Sequence, residues 1–281
     1  MSVSEISMPS VNDPELYWFH VDETNITGSD ADFLIVGGLV LNAKQIIDAD
    51  LAIDVIRRHY GYTPTDRFKF NTKSRPKQVS QEDFMKAKEA TISLLEPLGI
   101  RMIVYVVLHD IAKNKPLEET MAMAYNTLFA HFDLRFLQTH SSKGVVCIDR
   151  GKDQFVFPYL QDKHQAGIKM FDGREVTLDR IMHYSVTTDG ASHISSLVDI
   201  ALGAFRYCVN LSNSPIKDQK LEIANKLLRP LSKALWHREV NGERLVVGYG
   251  YLPYPRQGVR VPSYKMKYET LAEDLTKWSS Q

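Results

Sequence analysis

The chain has 281 residues, 44% of them hydrophobic, with 34 Lys plus Arg balanced by 34 Asp plus Glu and only two cysteines. This length and apolar content allow one large domain or two ordinary ones with a full core, and exclude disorder, collagen-like repeats and small disulfide scaffolds. Zero formal net charge removes any attraction of the whole molecule to phosphates, so nucleic-acid or membrane binding has to come from local patches.

Residues 1–15 are expected to form a disordered tail, and they lack the basic start and apolar run of a secretory signal. Leu16 to Thr24 (LYWFHVDET), the turn-rich NITGSDAD and the run FLIVGGLVL read as a β-hairpin. Ile46, Ile47, Leu51, Val55 and Ile56 recur at helical spacing up to Tyr60, where Gly61 and Pro64 break the pattern. A basic segment from Asp66 to Lys77 precedes a helix near Gln81 to Leu95, and the β-branched run IRMIVYVVLH predicts a buried strand. Met121, Tyr125, Leu128 and Phe132 mark the core stripe of a helix from about Leu117 to Gln138.

VVCID, ending on Asp149, reads as a strand, and a helix is expected around Pro158 to Lys169. The strand RIMHYSVTT then leads to a helix from Ala191 or Ser192 to about Leu211, and the last clear helix is Gln219 to Trp236. This order predicts an α/β fold with a mixed sheet flanked by helices, one domain over 16–238 with helical additions, and an extension over 239–281 packed on it. No apolar run approaches the roughly 20 residues needed to span a bilayer. Cys147 and Cys208 lie in apolar patterns that suit buried thiols, so a cytoplasmic location without membrane contact is expected.

Ligand-binding carboxylates in α/β proteins collect at strand ends, and two strands here end on Asp22 and Asp149. A strand-terminal Asp is equally a turn former. Period-two alternation puts His20 on the Asp22 face and Glu23 on the other, so Asp22 is the acid expected to face a shared site. The third acid, Asp199, lies in a helix with Ser192, Ser195, Ser196, Gly203 and Arg206 on one stripe. This is either the wet side of an amphipathic helix or a face packed against something polar, and small residues without Lys or Glu favour the second.

If Asp22, Asp149 and Asp199 converge, the arrangement needs a cation, because two carboxylates ~4 Å apart repel by about 4 kcal/mol at an effective dielectric of 20. Oxygen donors without Cys or paired His suit Mg²⁺ or Mn²⁺, and phosphodiester hydrolysis is the chemistry that fits. No P-loop, HExxH or GxSxG is present, and Gly248-Tyr-Gly250 lacks the third glycine of a dinucleotide loop.

Three segments, FHVDET with FLIVGGLVL, VVCID, and SHISSLVDIALGAFR, resemble the family catalogued as domain of unknown function 3800, whose fold is similar to ribonuclease H and retroviral integrases. The family's opening Asp-Glu-Ser matches Asp22, Glu23 and Thr24, its central acid matches Asp149, and its Gln-Leu-Ala-Asp element matches Ser196, Leu197, Val198 and Asp199. The resemblance implies a ribonuclease H-like nuclease with Asp22, Asp149 and Asp199 as metal ligands, and Glu23 and Asp66 as candidates for a fourth acid. The family's Glu-x-Lys element aligns with Arg67, Phe68 and Lys69, so its Glu is missing here.

Basic residues interleaved with aromatics suit phosphate contact with base stacking. Asp66 to Lys77 carries Arg67, Lys69 and Lys73 beside Phe68 and Phe70, and Asn241 to Lys267 carries five basic residues beside Tyr249, Tyr251, Tyr254 and Tyr264. Nucleic acid is therefore the expected partner, with Lys69, Lys73 and Arg206 as phosphate ligands. The alternatives are a solvated loop and a tail packed through its tyrosines. At the level of function, the competitors are a binding module that has lost catalysis and an enzyme acting on a phosphorylated metabolite.

Overall fold

A computed structural model describes residues 14–26, 32–113, 115–149, 153–169, 173–188, 192–212, 219–255 and 259–279. The expected disordered tail falls almost wholly on residues 1–13, outside the described residues, while Glu15 is held by the Tyr17 hydroxyl at 2.7 Å and the Asn42 amide at 2.6 Å.

Strands β1 (Leu16–Thr24) and β2 (Phe33–Asn42) form the expected antiparallel hairpin, with Asp22 opposite Gly37. Helix α1 (Ala43–His59) starts on a capping box in which Asn42 and Gln45 bond each other's backbone N–H, and α2 (Gln81–Ile92) on the Ser80 side chain. Strand β3 (Arg101–Leu108) runs into the short α3 (His109–Ala112) and then α4 (Leu117–His131). The stripe that predicts one helix to Gln138 continues beyond His131 as a π-helical turn, Phe132–Leu137. There the buried Asp133 carboxylate accepts the N–H groups of Arg180 and Ile181 at 2.7 and 3.1 Å and fixes the start of a later strand.

Strand β4 (Lys143–Asp149) is followed by α5 (Asp153–Ala166), the two-residue strands β5 (Ile168–Lys169) and β6 (Glu175–Val176), and β7 (Ile181–Thr187). Helices α6 (His193–Ser212) and α7 (Gln219–Ala234) complete the expected set. The segment read as an extension holds more structure than its composition suggests: a small hairpin of β8 (Arg238–Val240) and β9 (Glu243–Leu245), a strand β10 (Tyr251–Tyr254), and a terminal helix α8 (Pro262–Ser279).

The main sheet is mixed, in the order β10-β3-β2-β1-β4-β7. The β1/β2 and β2/β3 pairs are antiparallel, whereas β1/β4, β4/β7 and β3/β10 are parallel. Buried residues fill both faces. Ile35, Leu39 and Val104 pack with α1, α2, α6, α7 and α8, while Phe19, Val21, Val146 and Ile148 pack with α4. Since side chains alternate along a strand, the partners of these last four, His20, Asp22, Cys147 and Asp149, face the α6 side. Both cysteines are buried free thiols. Among the described helices only α6 is long and apolar enough to cross a bilayer, and 67% of that apolar window is buried in the core.

Candidate functional site

Strands β1 and β4 are parallel neighbours, with Val21 in register with Ile148. The next residues are Asp22, two before the end of β1, and Asp149, the last of β4; they lie on the same face, on neighbouring strands about 4.8 Å apart. Helix α6 packs across β1 on that face and carries Asp199. Burial first, then the charge of Glu23, pushes the Asp22 carboxyl up to about 8, with Asp149 and Asp199 adding to the rise and the Glu23 N–H at 2.7 Å opposing it. Asp22 thus lies within the electrostatic reach of both other aspartates. His20, beside them, is driven down to about 4 by burial and stays neutral.

Asp199 is held from outside the helix. Its carboxylate accepts the Phe70 N–H at 2.7 Å and lies 3.9 Å from the Lys69 ammonium. Phe70 in turn rests on the small-residue stripe: a Cβ on Gly203 would come within 2.5 Å of Phe70. The Ser192 to Arg206 stripe is therefore packed against the 66–70 loop at its centre, and Gly203 is small because a ring needs its place. Gly203→Ala is expected to cost about 1–3 kcal/mol by displacing Phe70, measurable by urea unfolding, and to lower any Asp199-dependent activity with it.

Lys88 on α2 was not a sequence candidate. Only 3% exposed, it donates to the Phe70 carbonyl at 3.2 Å and lies over the Phe70 and Phe84 rings at 4.4 and 4.2 Å. Burial pulls its ammonium down to about 8, opposed by Glu89 and Asp199. Among the described residues Lys88 makes no ion pair, and a buried cation so placed costs stability, so its position under the Asp199 loop points to a positioning role. Lys88→Met is expected to leave Tm at pH 7 unchanged or higher, while lowering activity by roughly 10–100-fold, the usual scale for residues that orient a ligand.

The remaining candidates fall in different places. Glu23 faces the α4 side, where the Tyr125 hydroxyl donates to it at 3.3 Å; burial and the charge of Asp149 raise its carboxyl. Asp66 accepts the Thr63 N–H and the Gln78 amide, both at 2.6 Å, and so fastens its own loop. Arg206 reaches the end of β1, donating to the Thr24 hydroxyl at 3.2 Å. Lys73 is exposed on the turn Thr72–Ser74.

The aromatics read as possible base-stacking partners are largely consumed by packing. Phe68 and Tyr251 are 1% and 0% exposed, Tyr249 packs on Trp236 and Tyr254 on Tyr105. Tyr249, Tyr251 and Tyr254 are thus engaged in packing within the fold.

As a metal centre the residues fit in chemistry more than in spacing. The donor set is all oxygen, and the crowding that raises Asp22 is relieved by a hard divalent ion. Among the described residues, however, no three His, Cys, Asp or Glu side chains are placed to hold an ion as they stand. No family model, no curated protein and no solved structure matches the chain.

Proposed function

We propose that the chain is a Mg²⁺- or Mn²⁺-dependent phosphodiesterase, a nuclease of ribonuclease H-like fold related to the family of domain of unknown function 3800. The observation that carries the reading is the placement of Asp22 and Asp149 near the carboxyl ends of adjacent parallel strands, facing the helix that bears Asp199, with the Asp22 carboxyl pushed up by burial and by its acidic neighbours. The sheet order β3-β2-β1-β4-β7, antiparallel on one side of β1 and parallel on the other, is compatible with that fold.

Asp22, Asp149 and Asp199 are the residues to hold the ion, which would supply Lewis-acid activation of water and stabilisation of the leaving oxygen. Lys69, beside Asp199, places a cation where a substrate phosphate has to approach, and Arg206 brings a second to the end of β1. The Phe70 N–H and Lys88 limit how far Asp199 can move. One observation favours a second reading, a binding module without catalysis: Asp199 is already engaged by its own loop, and Arg67 stands where the family's Glu belongs.

The test is cleavage of labelled single- and double-stranded DNA and RNA in Mn²⁺ by wild type, by Asp199→Asn and by wild type in EDTA. Cutting by wild type alone supports the nuclease. Equal background in all three, with folded protein, supports the binding module.

A further inference from the structure

Two adjoining clefts open outward from Asp199. The first, about 590 Å³, lies between the 64–69 loop and the start of α6, with Asp199, Lys69, Ser195 and Ser196 in its wall. The second, about 490 Å³, extends to Asn71 and Lys73. Arg67 and Lys69 line both, so the two form one groove leading from Asp199 past Arg67 to Lys73.

The groove's donors suit an anion. Arg67 and Lys73 are exposed, and the amino-terminal end of the 20-residue α6, whose dipole is positive, borders the first cleft through His193. Ser196, 9% exposed, lines the same cleft and adds a neutral hydroxyl to its wall. Of the acids in the first cleft, Asp66 is spent on Thr63 and Gln78, and Asp199 accepts the Phe70 N–H; Asp50 is the third.

The lining also says what is not read. Phe68 is the one Phe, Tyr or Trp among these described wall residues, and at 1% exposure it offers no ring face. Stacking is the usual way a groove holds the bases of a single strand, and here it is missing, while contacts to phosphate carry no sequence information. We propose that this groove is a phosphate track that takes one nucleic-acid strand by its backbone, without base preference. The proposal rests on the nuclease reading for its direction toward Asp199, although not for binding itself.

The experiment is fluorescence anisotropy with labelled single strands of about 12 nucleotides and several base compositions, in EDTA, over about 50–200 mM salt. Arg67→Ala and Lys73→Ala, both at exposed positions, are each expected to flatten the slope of log affinity against log salt by about 0.7, the amount for one single-strand phosphate contact, and to weaken every base composition alike. Ser196→Ala is expected to weaken binding without changing the slope, because it removes a neutral donor. Unchanged slopes in the two charge variants, losses confined to one base composition, or no binding by wild type would each overturn the track. EDTA keeps cutting out of the measurement. A protein that gives the expected slopes but never cleaves keeps the track and loses the nuclease, and one that cleaves with unaltered slopes does the reverse.

Discussion

Asp22→Asn, Asp149→Asn and Asp199→Asn are each expected to lower Mn²⁺-dependent cleavage by on the order of 10³-fold or more, the scale seen when one member of a catalytic unit is removed. The amide keeps the shape and one acceptor of the carboxylate but loses the charge that holds a hard divalent ion. On the proposed function the three act through one centre, so a double variant is expected to be little worse than a single one. Glu23→Gln provides the internal contrast. Its carboxylate faces α4 and the Tyr125 hydroxyl, so cleavage is expected to fall by less than about tenfold. The measurement is initial cleavage rate on one labelled substrate at fixed Mn²⁺, with thermal melting in EDTA to show that each variant is folded. Full activity in Asp149→Asn would remove the metal centre from consideration, and a loss in Glu23→Gln as deep as in Asp22→Asn would show that the opposite-face placement does not decide the chemistry.

Much of the frame from Leu16 to Ala234 was legible because its segments are long and strongly patterned. The hairpin, β3, β4, β7 and the large helices follow directly from apolar runs and stripes. Alternation along FHVDE was enough to separate Asp22 from Glu23, since a strand has only two faces. The C-terminal elements were not legible for a physical reason: β10 has four residues and no alternating pattern of its own, and becomes a strand by pairing with Val104 to Val107. Helix α8 carries a stripe of Tyr268, Leu271 and Leu275, all buried, but the Tyr-, Pro- and Gly-rich stretch before it hides the start.

Around the candidate site, the sequence displayed acids and concealed what holds them. Lys88 falls within the buried stripe Phe84, Ala87, Lys88, Thr91 and Ile92 of α2. That oddity is visible in the sequence, yet a lone Lys on such a stripe normally reaches out to water along its stem. The match of Gly203 to Phe70 joins residues 133 positions apart, and no local pattern encodes it.

The metal-free protein is expected to lose stability as pH rises through the range in which Asp22 ionises. A free aspartate titrates near 3.9, while Asp22 in the fold is pushed up to about 8. A carboxyl raised on folding contributes stability that is fully present below the unfolded value and lost as pH rises toward the folded one. His20, lowered to about 4, works the other way below about pH 6.5, where its unfolded form begins to bind protons. The window belonging to Asp22 is therefore about pH 6.5 to 8, and at ~1.4 kcal/mol per pH unit the loss is about 2 kcal/mol. For a chain of this size that corresponds to roughly 5 °C in Tm. In EDTA, Asp22→Asn is expected to flatten this decline and to melt above wild type at pH 8. Added Mg²⁺ or Mn²⁺ is expected to restore wild type and leave the variant unmoved, because the ion binds the ionised carboxylate and stabilises by about 2.7 kcal/mol at a hundred times its Kd. Melting curves at about pH 6.5, 7.25 and 8, spanning that interval, decide the matter. A flat wild-type profile would mean that Asp22 is already compensated within the protein, and the electrostatic case for a cation at the strand ends would go with it.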